Sequence, residues 1–215
     1  MARQTTKKGE YPKSPYDWYV EQQWVTEALI KVQDSHWATV WDPACGQGSV
    51  LKAVDAFGVP TWSTDIQFRG HAASGIFYEI DFVGDLDFVR SAAPVGRYTI
   101  VSNTPYSYVK GILEAFVRRA MELDAETVAF LMPIGRQAGE NRHALWSEFP
   151  PTQIWIMSER PSMPPGAQIA ALGDKAYKRG RLDFMWVVWD RRNPAKPGET
   201  KWGTIAPREK AVADV

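Results

Sequence analysis

Four consecutive residues of the sequence, Asn103, Thr104, Pro105 and Tyr106, combine hydrogen-bond acceptors, a rigid turn and an aromatic ring directly after a β-prone segment. An amino group attached to a heteroaromatic ring is a poor nucleophile because its lone pair is delocalised into the ring. The side-chain oxygen of Asn103 and the main-chain carbonyl of Thr104 could accept hydrogen bonds from its two N–H groups and so localise electron density on the nitrogen. Pro105 would hold the turn, and Tyr106 would stack on the ring. The alternative interpretation is an ordinary strand-to-helix turn with a core tyrosine.

A glycine pair and an acidic residue indicate a ligand upstream of that turn. Gly46 and Gly48 lie where a predicted strand turns into a helix, and Asp65 comes 17 residues after Gly48, at the end of the next predicted strand. Glycine permits a sharp turn and close approach to a ligand, and an acid in that place can accept both hydroxyls of a ribose. The G-x-G-x-x-G pattern lacks its third glycine and the Walker pattern is absent, which disfavours NAD, FAD and ATP. A nucleoside cofactor without a phosphate cradle, such as S-adenosylmethionine, is favoured over a tight turn with no ligand.

The elements that must position these residues alternate along the chain. Hydrophobic periodicity and β-propensity predict strands at 38–41, 61–66, 77–80, 98–102, 127–132, 153–157 and 184–189, and helices at 20–32, 49–57, 109–121 and 140–149. This alternation predicts an α/β fold with an open, doubly wound and mostly parallel sheet. Four polar residues each follow a predicted strand: Asp42, Asp65, Asp81 and Asn103. Since the carboxyl ends of parallel strands share one edge, a single crevice should collect all four.

The composition is that of an ordinary globular protein, with 45% hydrophobic and 23% charged residues among 215, enough for one catalytic domain. Lys plus Arg equals Asp plus Glu at 25 each, so any contact with DNA must come from a local basic surface. Cys45 is the single cysteine and the three histidines lack ligand spacing, so we expect no disulfide and no metal. No stretch of 18 apolar residues occurs, and a reducing cytoplasm is the expected location.

The chain divides into three regions by composition. Residues 1–15 are polar, basic and interrupted by prolines, which predicts a flexible arm, and residues 191–215 are expected to form an irregular tail. The domain between them, 16–190, contains a long loop at 158–181 that could grip phosphates next to the strand ends. Its basic residues are Arg160, Lys175, Lys178, Arg179 and Arg181. A solvated loop without a ligand is the competing interpretation.

Several ordered sequence blocks together resemble one known family. These blocks are Tyr19-Val20-Glu21 with Trp24, residues 42–48, Asp65-Ile66, Asp81-Phe82, residues 103–106, residues 158–166 and residues 186–189. They resemble class I S-adenosylmethionine-dependent methyltransferases with an N-P-P-Y motif, especially small phage and prophage enzymes that methylate adenine N6 in DNA. The resemblance covers most of the chain, and it implies a single Rossmann-like domain whose last strand is antiparallel.

The same resemblance implies roles for individual residues. The methionine end of the cofactor would lie against Tyr19, Glu21, Trp24, Asp42, Ala44, Cys45, Gly46 and Gly48. Asp65 with Ile66 would bind the ribose and Asp81 with Phe82 the adenine, while Asn103 would border both cofactor and acceptor. Cys45 is interpreted as a small loop residue, since the Pro-Cys dipeptide of cytosine C5 methyltransferases is absent. Thr104 departs from the family by replacing its first proline, which removes rigidity but keeps the main-chain carbonyl.

The resemblance therefore implies methyl transfer to an exocyclic amino group, with adenine N6 in DNA as the leading acceptor. RNA and protein glutamine amides are alternative acceptors, because N-P-P-Y motifs also occur in enzymes that act on them. A catalytically weak cofactor-binding module is a further alternative, made possible by Thr104, and an NAD-dependent oxidoreductase is a distant one.

Overall fold

The computed structural model describes residues 14–33, 37–71, 77–178 and 180–209. Its strands are β1 Val40–Asp42, β2 Thr61–Asp65, β3 Tyr78–Glu79, β4 Thr99–Asn103, β5 Thr127–Pro133, β6 Gln153–Met157, β7 Phe184–Asp190 and β8 Lys201–Ile205. Its α-helices are α1 Trp24–Val32, α2 Ser49–Asp55, α3 Leu86–Ser91, α4 Ile112–Met121, α5 Glu140–Glu148 and α6 Ile169–Leu172. None of the helices in these ranges is both long enough and apolar enough to cross a membrane.

The eight strands form one sheet in the order β3-β2-β1-β4-β5-β7-β6-β8. β7 is antiparallel to both of its neighbours, whereas every other pairing is parallel. The predicted α/β fold with a mostly parallel sheet, and the antiparallel strand predicted at 184–189, are confirmed. The carboxyl ends of β1, β2 and β4 consequently lie side by side.

Both faces of the sheet are covered, as a doubly wound fold requires. Along β5, Val128, Phe130 and Met132 face a core shared with α4, whereas Ala129 and Leu131 face a core shared with α1 and α2. Successive side chains of a strand point to opposite faces, so a fully apolar strand serves two cores at once. This explains why β5 is buried over its whole length.

The structure corrects several expectations. The tail after Asp190 is not irregular throughout, because β8 pairs with β6 from Lys201 to Ile205. The 158–181 loop contains α6 and flanking 3-10 turns, and α3 was not predicted at all. The helix expected from Val20 begins only at Trp24, since the N–H of Val20 donates to the Pro164 carbonyl and Tyr19 forms a β-bridge with Pro165. Most of the predicted N-terminal arm, residues 1–13, lies outside the described residues.

Candidate functional site at the carboxyl edge of the sheet

A cavity opens where β1, β2 and β4 end, and it encloses about 650 Å³, including space open to solvent. The structure brings most of the predicted cofactor residues to its wall: Tyr19, Glu21, Asp42, Ala44, Cys45, Gly46, Asp65, Ile66, Asp81, Phe82 and Asn103. Pro105 lies there as well. The four polar residues that follow predicted strands therefore do share one crevice.

The glycine turn and the acid at the end of β2 are joined directly. Gly46 has a φ of +52°, and its main-chain N–H donates to Asp65 Oδ2 over 2.8 Å. Glycine suits this positive φ, and a Cβ at Gly46 would lie 3.2 Å from Trp18 Nε1, a tight contact. The N–H of Gln67 donates to the other carboxylate oxygen of Asp65. The turn and the predicted ribose-binding acid thus form one rigid unit.

Asp42 is fixed at the end of β1 by contacts across the sheet. Its Oδ1 accepts hydrogen bonds from Ser102 Oγ at 2.6 Å and from the N–H of Ala44 at 3.1 Å. The side chain is buried, and burial raises the pKa of its carboxyl well above the ordinary value. Ser102 comes from the neighbouring β4, so the parallel pairing of the two strands creates this contact.

Asn103, the last residue of β4, has its amide oriented by two acceptors. Its Nδ2 donates to the main-chain carbonyl of Tyr19 at 3.0 Å and to Glu21 Oε2 at 2.6 Å. A main-chain carbonyl and a carboxylate can only accept, so the nitrogen must face them. The Oδ1 atom is left without a donor among the described residues and is available to a ligand that carries N–H groups.

An N-terminal segment, residues 14–21, packs over the cavity and holds the 103–106 turn. The Asp17 carboxylate accepts hydrogen bonds from the main-chain N–H groups of Tyr106 at 3.0 Å and Tyr108 at 2.7 Å, and from both N–H and Oγ of Ser107. Tyr16 and Asp17 have φ values of 53° and 52°, a conformation that costs free energy in residues other than glycine. The described contacts of Asp17 with the turn compensate for that cost.

The far side of this segment is attached to the 158–181 loop. The N–H of Val20 donates to the Pro164 carbonyl at 3.0 Å, and the N–H of Gly166 donates to the Trp18 carbonyl at 3.0 Å. Gly166 is needed here because a Cβ at this position would lie 2.1 Å from the Trp18 ring. The loop therefore contributes to the site by supporting the segment that covers it.

The cavity is strongly acidic. Its wall carries five carboxylates, from Asp17, Glu21, Asp42, Asp65 and Asp81, and one guanidinium, from Arg69. Arg69 Nε lies 3.5 Å from Asp65 Oδ1, and its guanidinium lies 4.5 Å from the centre of the Trp18 ring. Burial raises the pKa of Asp65, and it raises the pKa of Glu21 to about 7. Carboxylates held in a poorly solvated cavity favour a cationic ligand, which would offset their desolvation.

Four of the predicted residues do not line the cavity. Trp24 lies under the Arg208 guanidinium, 4.3 Å from its ring centre, and Gly48 caps α2 with a φ of +76°. Thr104 is buried, and its Oγ1 has no hydrogen-bond partner among the described residues. The Tyr106 ring packs edge-on against Phe184 and lies 5.7 Å from the Arg136 guanidinium.

The described members of the predicted substrate-binding set also lie outside the cavity wall. Arg160 forms an ion pair with Asp183 at 2.7 Å, which reduces its charge available to a phosphate. Lys175, Lys178 and Arg181 are exposed, and Arg179 lies outside the described residues. The ranges described contain no group of three or more His, Cys, Asp or Glu residues that could hold a metal ion.

Several functional contacts were not predicted. Asp17 and Arg69 both line the cavity, and Ser102 orients Asp42. The contact of Asp17 with the turn joins residues 89 to 91 positions apart, so no local pattern could reveal it. Ser102 could have been suspected, because it directly precedes Asn103 on a strand next to β1.

Comparison with known proteins identifies the fold. No protein-family model matches the sequence, and no curated protein sequence matches it either. The modification subunit assigned to a type I restriction enzyme of Vibrio vulnificus YJ016 shares the fold with a TM-score of 0.58 and 16% identity, over 90% of this chain and 48% of that chain. A Listeria monocytogenes protein assigned to the class I S-adenosylmethionine-dependent methyltransferases has a TM-score of 0.53 and 14% identity, over 84% of this chain and 62% of that chain. The chain has the class I methyltransferase fold.

A third solved structure with this fold is the 23S rRNA methyltransferase ErmE, at a TM-score of 0.52 and 14% identity, over 82% of this chain and 71% of that chain. The chain thus spans less than two thirds of the length of the Listeria and Vibrio proteins.

Proposed function

We propose that the protein transfers a methyl group from S-adenosylmethionine to an exocyclic amino group, with adenine N6 in DNA as the leading acceptor. One observation carries the proposal: an acidic cavity at the carboxyl edge of the sheet is lined by Asn103, whose amide nitrogen donates to the Tyr19 carbonyl and to Glu21. The amide therefore presents an acceptor, which suits an amino group and does not suit a carbonyl or carboxylate.

The residues of the cavity fit this cofactor. S-adenosylmethionine carries a sulfonium and an ammonium group, and the carboxylates of Glu21 and Asp42 would hold those charges in a buried place. When bound, it supplies an electrophilic methyl group. Asp65 would accept the ribose hydroxyls, and Trp18 Nε1 is a buried donor without a partner in the described structure. A dinucleotide would bring an anionic pyrophosphate among carboxylates, which Coulomb repulsion opposes.

Asn103 and its turn would activate the acceptor. The Asn103 Oδ1 atom and the Thr104 main-chain carbonyl would each accept a hydrogen bond from one N–H of the amino group. These hydrogen bonds would raise the electron density on its nitrogen. The Asp17 carboxylate holds the turn through the N–H of Tyr106, so Asn103 would be positioned before the reaction. These residues would align the amino nitrogen for a single displacement, in which the N–methyl bond forms as the sulfur–methyl bond breaks and the nitrogen then loses one proton to solvent. Most of the rate enhancement would come from that alignment.

Adenine in a duplex must leave the base stack to reach this cavity. Tyr106 lies at the end of the turn and is the aromatic side chain on which the extruded base would settle. Exposed Lys175, Lys178 and Arg181 would provide salt-sensitive attraction to phosphates. Support for DNA also comes from the shared fold with a restriction-modification subunit, while the shared fold with an rRNA methyltransferase makes RNA the second candidate.

The test uses the purified protein with methyl-labelled S-adenosylmethionine and four separate pools: duplex DNA, single-stranded DNA, RNA and protein. Nucleoside mass spectrometry of the labelled pool identifies the modified base. We expect label in DNA as N6-methyladenine. Label in RNA or in glutamine amides would reassign the acceptor, and tight cofactor binding with no label in any pool would indicate a non-catalytic cofactor-binding module.

A further inference from the structure

Glu21 is an acidic residue that is almost fully buried. Its side chain is 4% exposed, lies in the wall of the cavity, and contacts Asn103 through Oε2 at 2.6 Å. A buried ionised carboxylate is costly unless it is paired or hydrogen-bonded. Its hydrogen-bond partner is Asn103, the side chain whose oxygen accepts the hydrogen bond of the substrate amino group in the proposed function.

The geometry makes the orientation of that amide depend on the charge of Glu21. An ionised carboxylate can only accept, so it holds Nδ2 of Asn103 and leaves Oδ1 available to the substrate. A protonated carboxyl can donate its O–H, and Oδ1 of Asn103 would then compete as the acceptor. Rotation of the amide by half a turn would direct the nitrogen at an amino group and remove the acceptor that the reaction needs.

We propose that Glu21 is a positioning residue: its ionised carboxylate orients the Asn103 amide towards the acceptor amino group, and its protonation releases that orientation. This inference rests on the proposed function, because it assigns Glu21 to the acceptor side of the same site. The Tyr19 carbonyl, the second partner of Nδ2, cannot change charge and provides a constant contribution to the orientation.

The surroundings of Glu21 place its titration in the physiological range. Among the described residues, the titratable groups that interact electrostatically with it are Asp42 on β1, Tyr106 after β4 and Tyr177 in the 158–181 loop. None of the three can carry a positive charge, and burial raises the pKa of Glu21 to about 7. A bound cationic cofactor would favour the ionised form and lower that pKa, so binding itself would set the amide for the reaction.

The first test follows the Asn103 side chain without any reaction. In the cofactor-free protein, the side-chain amide resonances of Asn103, assigned by their loss in Asn103→Ala, should shift with a midpoint near pH 7. They should not titrate in Glu21→Gln, and they should titrate normally in the control Glu27→Gln, whose residue lies in the first turn of α1 away from the cavity wall. Resonances that stay constant from pH 5.5 to 8.5, or that shift equally in Glu21→Gln, would overturn the proposal.

The second test measures kcat and KM against pH with the acceptor that the labelling experiment identifies. Wild type and Glu27→Gln should lose kcat as pH falls below the pKa of the loaded enzyme, whereas Glu21→Gln should show a kcat at least about tenfold lower and nearly independent of pH. A pH-dependent Glu21→Gln with unchanged kcat would contradict the inference. If no pool accepts a methyl group, the proposed function fails, and the amide titration still decides the role of Glu21.

Discussion

The two halves of the sheet are built on different principles. β5 and β7 pair along seven residues, and their side chains are almost entirely apolar and buried. β1 pairs with β2 along three residues and with β4 along two, and its carboxyl end carries the buried Asp42, which accepts hydrogen bonds from Ser102 and Ala44. Apolar burial supplies stability without directional demands, whereas buried acids lower stability and are retained where a ligand needs them. The comparison assigns stability to the β5–β7 half and ligand chemistry to the β1–β4 half.

The largest stability effect should come from the apolar half. Leu131→Ala removes a fully buried side chain from β5 and should lower the free energy of unfolding by about 3 kcal/mol, because it creates a cavity in a packed core. Chemical denaturation measures this loss. Leu182→Ala, at a half-exposed position, is the control and should change it by about 0.5 kcal/mol or less. Equal losses in the two variants would show that apolar burial along β5 is not what stabilises this half.

The largest effect on activity should come from the β1–β4 half of the sheet. Asn103→Ala removes the oriented acceptor and should reduce methyl transfer by about 100-fold, while cofactor affinity changes little. Single-turnover kinetics and calorimetry separate the two quantities. Asn193→Ala removes an exposed amide that contacts Asp190 and serves as the control. Transfer retained in Asn103→Ala would rule out the role given to its oxygen.

A smaller effect, on both the free energy of unfolding and the cofactor affinity, is expected at the N-terminal segment, residues 14–21. Asp17→Asn replaces a carboxylate that accepts hydrogen bonds from several main-chain N–H groups. The new amide NH2 can only donate and would face one of those N–H groups, so the free energy of unfolding should fall by about 2 kcal/mol. Cofactor affinity should weaken about tenfold, since the segment covers the cavity. The matched change Asp87→Asn affects an exposed carboxylate that pairs weakly with Arg90. A stable Asp17→Asn variant with unchanged affinity would show that the segment is not held by this carboxylate.

The smallest effect is expected at Thr104, which stands where the motif that the sequence resembles has a proline. Thr104→Val replaces a buried hydroxyl without a described partner by a methyl group, and the free energy of unfolding should rise by about 0.5 to 1 kcal/mol. Thr152→Val is the control, because its hydroxyl bonds to the Val188 carbonyl and accepts from the N–H of Asp190; it should be destabilised. A loss of stability in Thr104→Val would mean that its hydroxyl has a partner in solution.

The sequence predicted those parts of the site that follow from sheet geometry. Asp42, Asp65 and Asn103 each end a strand, and parallel strands end at one edge, so their convergence was predictable without knowledge of side-chain packing. The contact of Asp17 with the 103–106 turn was not predictable, because it depends on a left-handed backbone conformation and on residues far apart in the chain. β8 was missed since its residues do not alternate cleanly: Trp202 is 73% exposed on an edge strand.

The most direct test of the central claim, that the acidic cavity binds a cationic nucleoside, is calorimetric binding at pH 6 and pH 8. S-adenosylmethionine carries one more positive charge than S-adenosylhomocysteine, and the buried carboxyls with raised pKa values must lose protons to pair with it. Its affinity should therefore increase by up to about tenfold from pH 6 to pH 8, with a smaller increase for S-adenosylhomocysteine. Absence of binding at both pH values, or tighter binding of NAD, would contradict the account.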